Sequence, residues 1–276
     1  MADLTLEDYQ FVAGYLERES GIQLGADKQY LVKNRLEELC ARLGVPRVTD
    51  LIARVRQRAC PVTARSVVEA MTTNETSFFR DGSPFEALRT QILPELLARR
   101  QASRSLRIWS AACSTGQEPY SVAMLLHDSF AHVVRDWQLQ VLGIDLAEKV
   151  VERARSGRYT QLEVNRGLPV RYLLSCFEKK GSDWVVAERL RRLVRFEVAN
   201  LVDPALTLGT FDLILCRNVM IYFEPDTRRR VLGTLLRHLA PDGYLIVGGA
   251  EVLLGLTDRL ERLNVGGAVV YRPVHG

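Results

Sequence analysis

The chain has 276 residues, a formal net charge of +4, 47% apolar and 25% charged residues, which is ordinary for a globular protein and long enough for a large domain plus a smaller one. No apolar run approaches the ~20 residues that cross a bilayer. The acidic start, Met1 to Tyr9, lacks the basic and apolar regions of a secretory signal, so a cytoplasmic protein without membrane insertion is expected. Five widely spaced cysteines, no Cys-x-x-Cys and four scattered histidines suggest neither a disulfide framework nor a metal site.

Residues 1–72 read as a helical domain. Thr5, with Glu7 and Asp8 behind it, opens a helix whose apolar face includes Tyr9, Phe11, Val12, Tyr15 and Leu16. Gly21 and Gly25 bracket a turn. A second helix, about Lys28 to Leu43, turns Leu31, Leu36 and Leu39 inward and is closed by Gly44 and Pro46. Thr49 is expected to cap a third helix, Asp50 to Cys60, ended by Pro61, with Arg54 and Arg58 sharing its exposed side. From Arg42 to Val68 the arginines at 42, 47, 54, 56, 58 and 65 meet Asp50 alone. A solvated face ordinarily interleaves acids, so this spacing favours a docking surface for an acidic protein partner.

Met71 to Asp81 joins this domain to the rest, which is assigned to 73–276. As a loop folded over a site, Asn74 and Thr76 offer hydrogen bonds, Phe78 and Phe79 anchor the backbone, and Arg80 presents a fork for a carboxylate. Helix follows from Pro84 to Gln101, interrupted at Pro94. Strands are expected at 106–110, 139–145, 193–198, 211–216 and 244–248, with helices at 148–156 and 225–239, a turn at Pro241-Asp242-Gly243, and a terminal hairpin around Gly266-Gly267. This alternation predicts an α/β fold: a doubly wound, mostly parallel, Rossmann-like sheet with an antiparallel edge. Between about 158 and 192 the rhythm breaks, and Lys179-Lys-Gly-Ser-Asp183 between apolar flanks suggests a small antiparallel β insertion, with an elaborated crossover as the alternative.

Polar residues end the four leading strands. Glu118 follows the small-residue turn Ser110 to Gly116; Asp145 closes the second strand, where an acid can accept ribose hydroxyls; Asn200 follows the third; Arg217 and Asn218 follow the fourth. Each alone has a plain explanation as a cap or turn residue, but convergence on one sheet edge points to a nucleoside cofactor. Turn one has a single glycine and brings a carboxylate, unlike a Gly-x-Gly-x-x-Gly pyrophosphate cradle, so a cationic methyl donor, S-adenosylmethionine, is preferred over a dinucleotide.

Three stretches, Thr72 to Arg80, Trp109 to Ser121 and Phe211 to Phe223, resemble the CheR family, the protein-glutamate O-methyltransferases that modify chemotaxis receptors. The resemblance covers nearly the whole chain, in the family's order, and includes the helical domain and the β insertion. It implies that Asn74, Thr76, Arg80, Glu118, Asp145, Asn200, Leu201, Arg217 and Asn218 surround S-adenosylmethionine, that Arg80 and Tyr222 lie near the transferred methyl and the incoming carboxylate, and that the arginine-bearing third helix docks on the receptor's cytoplasmic helical bundle. Family members that bind a receptor C-terminal pentapeptide carry a glycine-rich extension of a hairpin loop. Lys179 to Asp183 is short with one glycine, so no dependence on that tether is expected.

Two other classes compete. A regulatory protein binding the cofactor or a nucleotide would be favoured by loss of Arg80, Glu118 or Asp145, and all are present. A methyltransferase acting on an amine would need a base, and no histidine stands at a strand end. Nucleic acid is disfavoured because the basic cluster lacks interleaved aromatics. A monomer is expected.

Overall fold

The computed structural model describes residues 4–274 and divides into two compact units. One is helical and comprises the chain up to Thr73 together with Tyr222–Thr227; the other, α/β, comprises Asn74–Ile221 and the chain from Arg228 onward. No helix among the described residues is long and apolar enough to cross a membrane.

In the helical unit, α1 (Leu6–Ser20) starts at Thr5, whose hydroxyl accepts the Asp8 amide, and stops at left-handed Gly21. α2 (Gln29–Leu43) stops at left-handed Gly44. Val12, Leu16, Val32, Leu36 and Leu39 are buried, whereas Phe11, Tyr15 and Leu31 are only half-buried. α3 (Val48–Arg56) ends earlier than its spacing suggests, and Pro61, expected as a terminator, instead opens a fourth helix, α4 (Pro61–Met71). A proline at the first helical position loses nothing, because its missing N–H would have had no partner there. Arg35 of α2 donates to the Met71 and Thr72 carbonyls at 2.6 and 3.1 Å, capping α4. Arg58 lies beyond α3 with φ 51°, so Arg54 and Arg58 do not share a helix face; both are exposed. The returning segment joins this unit through an antiparallel bridge between Ile22 and Phe223 and a bond from the Gln23 amide to the Tyr222 carbonyl.

The α/β unit begins with α5 (Ser83–Ala87), a π-helical turn Leu88–Ile92 and α6 (Leu93–Arg99). The widened turn falls just before Pro94, which has no N–H to continue the regular ladder. Then come β1 (Ser105–Ala111), α7 (Gln117–Ser129), β2 (Gln138–Asp145) and α8 (Glu148–Ser156). The insertion follows as β3 (Arg158–Tyr159), α9 (Gln161–Asn165), α10 (Val170–Cys176), β4 (Phe177–Lys180) and β5 (Asp183–Val186), its strands ordered β3-β5-β4 and antiparallel. The chain continues through α11 (Glu188–Arg191), β6 (Val194–Val198), β7 (Phe211–Cys216), a 3-10 turn Met220–Tyr222, α12 (Pro225–His238), β8 (Leu239–Val247), β9 (Leu260–Val265) and β10 (Ala268–Pro273).

The main sheet has the order β6-β2-β1-β7-β8-β10-β9, parallel from β6 to β8 and antiparallel at the β10-β9 edge. The alternation and the edge hairpin agree with the sequence reading. Pro241 to Gly243 does not form a free turn; it lies inside β8, where pairing slips from Phe211 opposite Leu239 to Leu213 opposite Tyr244. Arg100 holds this irregularity, donating to Asp212 at 2.6 Å and to both Asp242 oxygens at 2.8 and 2.6 Å. The core runs along β7, every residue of which is buried. Strand order reverses between β1 and β7, and ligands in such sheets sit outside the carboxyl ends of the strands at that reversal.

Candidate active site at the strand reversal

Turn one, between β1 and α7, runs through Ala112, Ser114 and Gly116 with φ of 58°, 51° and 93°. The left-handed region costs a non-glycine residue roughly 1–2 kcal/mol, so tertiary bonds must hold it. They are present: the Cys113 amide donates to the Ile144 carbonyl at 2.8 Å, the Ser114 amide to Asp145 Oδ2 at 2.8 Å, and the Ser114 hydroxyl to the Asn74 carbonyl at 2.8 Å. At Gly116 a Cβ would lie 2.8 Å from that of Ala154, so no larger residue fits. Asp145, buried at the end of β2, also accepts the Ala147 amide at 3.0 Å and thereby fastens turn one to the neighbouring strand end.

Glu118 projects from the first turn of α7. Its Oε1 accepts the Ser110 hydroxyl at 2.7 Å and its Oε2 accepts Arg217 Nη1 at 2.8 Å. Arg217 follows β7, and its side chain is 1% exposed against 12% for Glu118. Its Nη2 donates to Asp81 Oδ2 at 2.7 Å and to the Arg80 carbonyl at 2.8 Å, the guanidinium lying over the Phe85 ring. Nε is buried and has no hydrogen-bond partner. Arg217 therefore joins three loops.

The loop carrying Arg80 is anchored on its apolar side. Phe78 is buried edge-on against Tyr159 and Phe177, with centroids at 5.0 and 5.6 Å, and Phe79 stacks on Tyr172 at 4.9 Å. The Phe79 amide donates to Ser121 Oγ at 3.0 Å. Arg80 itself is half-buried, and its Nη1 donates to the Glu75 carbonyl at 2.9 Å. Among the described residues seven non-glycines have positive φ, and five of them, Phe79, Asp81, Ala112, Ser114 and Asn218, belong to these three loops. Strain concentrated on one rim marks a shaped site.

Hydrogen bonds thus tie the Asn74 carbonyl through Ser114 to Asp145, and separately tie Glu118 through Arg217 to Asp81 and the Arg80 carbonyl; Asn218 follows Arg217 directly. Asn200 stands beyond β6 and folds on itself, its Oδ1 accepting the Val202 amide, while Leu201 is buried beside it. The preceding Ala199 amide reaches the Asp145 carbonyl at 2.9 Å. Thr76 is half-buried in the loop. Tyr222 lies in the segment that packs with the helical unit. Two residues escaped the sequence reading. Asp81, the ionic partner of Arg217, had only its adjacency to Arg80 as a signal; Glu251, which follows β8 and whose Oε2 accepts the Asn218 amide at 2.7 Å, had no local signal at all.

The donor set matches a cationic nucleoside. Turn one has a single glycine and no pyrophosphate cradle; Glu118 opens α7 with its charge met by Arg217, and the buried Asp145 carboxylate at the end of β2 disfavours a phosphate beside it. Fold and rim are those expected of an S-adenosylmethionine-dependent methyltransferase.

Comparison with known proteins agrees. Residues 74–268 match the family described as CheR methyltransferase, SAM binding domain, and residues 7–72 match its all-alpha domain. The chain belongs to the CheR methyltransferase family. It is 38% identical over 268 residues to chemotaxis protein methyltransferase 1 of Pseudomonas aeruginosa, covering 96% of this chain and 97% of that one. It is also 38% identical over 279 residues to the chemotaxis protein methyltransferase of Vibrio parahaemolyticus, covering 99% of each, and 39% identical over 281 residues to chemotaxis protein methyltransferase 1 of Vibrio cholerae, again covering 99% of each.

Proposed function

We propose that this protein methylates glutamate side chains on the cytoplasmic helical bundle of chemotaxis receptors, forming methyl esters for sensory adaptation and releasing S-adenosylhomocysteine. The observation that carries this reading is the Arg217 junction, which holds the Arg80 loop against Glu118 at the strand reversal. When bound, S-adenosylmethionine supplies an electrophilic methyl group. A glutamate side chain, with an ordinary pKa of about 4.3, is already ionised at neutral pH and needs no base. No histidine among the described residues stands at the carboxyl end of β1, β2, β6 or β7, which suits a carboxylate acceptor better than an amine.

The chain's own task is then to orient the acceptor and exclude water, and such positioning is worth on the order of 7–11 kcal/mol in well-oriented systems. Arg80 orients the acceptor carboxylate; too firm a grip on the ground state would slow transfer. Asn74, Thr76, Glu118, Asp145, Asn200, Leu201, Arg217 and Asn218 line the donor site. Exposed Arg54 and Arg58 contribute a basic docking surface for the acidic bundle, although from α3 and the turn after it rather than from one helix. Arg56 does not join them, because it pairs with Glu7 and Asp8 of α1. The β4–β5 hairpin turns through Gly181 and Ser182 with no extension, which supports activity independent of a receptor pentapeptide. The enzyme acts as a cytoplasmic monomer.

Incubation with methyl-labelled donor and receptor cytoplasmic domains tests the proposal. Label released by mild alkali as methanol is the expected result; alkali-stable label overturns the carboxylate acceptor.

A further inference from the structure

Glu251 lies in the segment after β8 and is 5% exposed, so its carboxylate is largely closed to water. Its carboxylate is filled by backbone amides. Oε2 accepts from Asn218 at 2.7 Å and from Gly248 at 2.6 Å; Oε1 accepts from Val219 at 2.8 Å, Met220 at 2.7 Å and Ile221 at 3.3 Å. Four successive amides of the turn after β7 thus point at one buried charge supplied by the next strand's exit loop. Hydrogen bonds from amides to a carboxylate are roughly twice as strong as those between neutral groups, so five of them fix the turn firmly. Asn218 enters the turn at φ 58°, a left-handed conformation that asparagine adopts more readily than other non-glycine residues.

We propose that Glu251 is a positioning residue for methyl transfer: it holds the Arg217–Asn218 backbone in the one conformation that seats Arg217 between Glu118 and Asp81 and presents Asn218 to the donor. This rests on the methyltransferase reading above and goes beyond it by assigning the site's geometry to a residue outside it. Gly248 belongs to the same device. A Cβ there would sit 2.7 Å from Glu251 Oε2 and 2.9 Å from the Asn218 amide, so the carboxylate reaches its amides only past a glycine.

The test compares Glu251→Gln, Glu251→Asp and Gly248→Ala with the parent protein. Glu251→Gln keeps the shape but turns an NH2 toward amide donors; Gly248→Ala keeps the charge and pushes it aside. Val270→Ala, a buried position in β10 remote in sequence from the turn, serves as a control for plain loss of stability. Donor and S-adenosylhomocysteine dissociation constants by calorimetry, melting temperature, and kcat and KM for a receptor domain are measured for each. Glu251→Gln and Gly248→Ala are expected to weaken donor binding at least tenfold and to lower kcat, with receptor KM within about twofold, and Glu251→Asp to fall between them and the parent. Val270→Ala is expected to lower melting temperature without changing donor affinity. Parent-like affinity and turnover in folded Glu251→Gln or Gly248→Ala overturn the proposal, as does an affinity loss no greater than that of Val270→Ala at equal melting temperature. If Glu251→Gln does not fold, Gly248→Ala and Glu251→Asp decide on the same criteria. Failure of the parent protein itself to take up donor would instead overturn the methyltransferase reading.

Discussion

Arg80 and Arg217 flank the same loop, and burial separates what their removal should do. Arg80 is half-buried with one guanidinium nitrogen on a backbone carbonyl, so its substitution leaves no charge stranded. Arg80→Ala is expected to lower kcat by about a hundredfold or more while donor affinity changes less than about threefold, the signature of an interaction made mainly in the transition state. Arg217 is buried against Glu118. Breaking a buried pair by removing one partner costs about 3–5 kcal/mol because the other charge stays behind. Arg217→Ala should therefore lower both melting temperature and donor affinity, and Arg217→Lys should not restore them, since an ammonium does not reproduce the fork that reaches Glu118, Asp81 and the Arg80 carbonyl together. Scanning calorimetry with donor titration checks both. The residue type at 217 was legible from its place after a strand, but its partners were not: Glu118 and Asp81 lie about a hundred residues or more upstream, and no local pattern links them.

At the level of elements, the insertion braces the Arg80 loop. Gly167 has φ 85°, and a Cβ there would lie 2.2 Å from the Phe78 carbonyl. Gly167→Ala must displace the loop or the insertion, and overpacking of this kind costs about 1–3 kcal/mol. The expected outcome is a lower melting temperature together with reduced kcat; unchanged turnover would show that the brace does not reach Arg80. In the helical unit, Arg54→Glu combined with Arg58→Glu is expected to raise receptor KM several-fold at low salt while donor affinity stays put, the effect shrinking as ionic strength rises past the Debye screening range. α1 and α2 were legible because caps and apolar spacing are local. α4 was missed because Pro61 is compatible with both an end and a beginning, and only the packing of Val67, Val68 and Met71, with Arg35 closing the far end, chooses between them.

Across the molecule, acid acts on the carboxylates that bind the sheet to its flanking helix. The Arg100 guanidinium holds the Asp242 carboxyl below the usual carboxylate range, and the Tyr244 hydroxyl does the same for Glu95. A depressed folded-state pKa means that stability is fully present above the unfolded values of about 3.9 and 4.3 and is lost as pH falls through the lower folded ones. Melting temperature should hold from neutral pH down to about 5 and then decline below about 4, and Asp242→Asn should flatten that decline; an unchanged acid limb would exclude Asp242 as a contributor. Much of the architecture was legible in the chain. Strand–helix alternation, the hairpin around Gly266-Gly267 and the insertion all follow from hydrophobic period and turn residues, which act over a few positions. The candidate rim was legible as a set of strand-end residues, because parallel strands place their carboxyl ends on one side. What only the tertiary structure decided is how that rim is held: Arg217 shared between Glu118 and Asp81, and Glu251 gathering the amides of a turn some thirty residues before it. A buried charge needs a partner from wherever the fold supplies one, and that requirement has no fixed spacing along the chain.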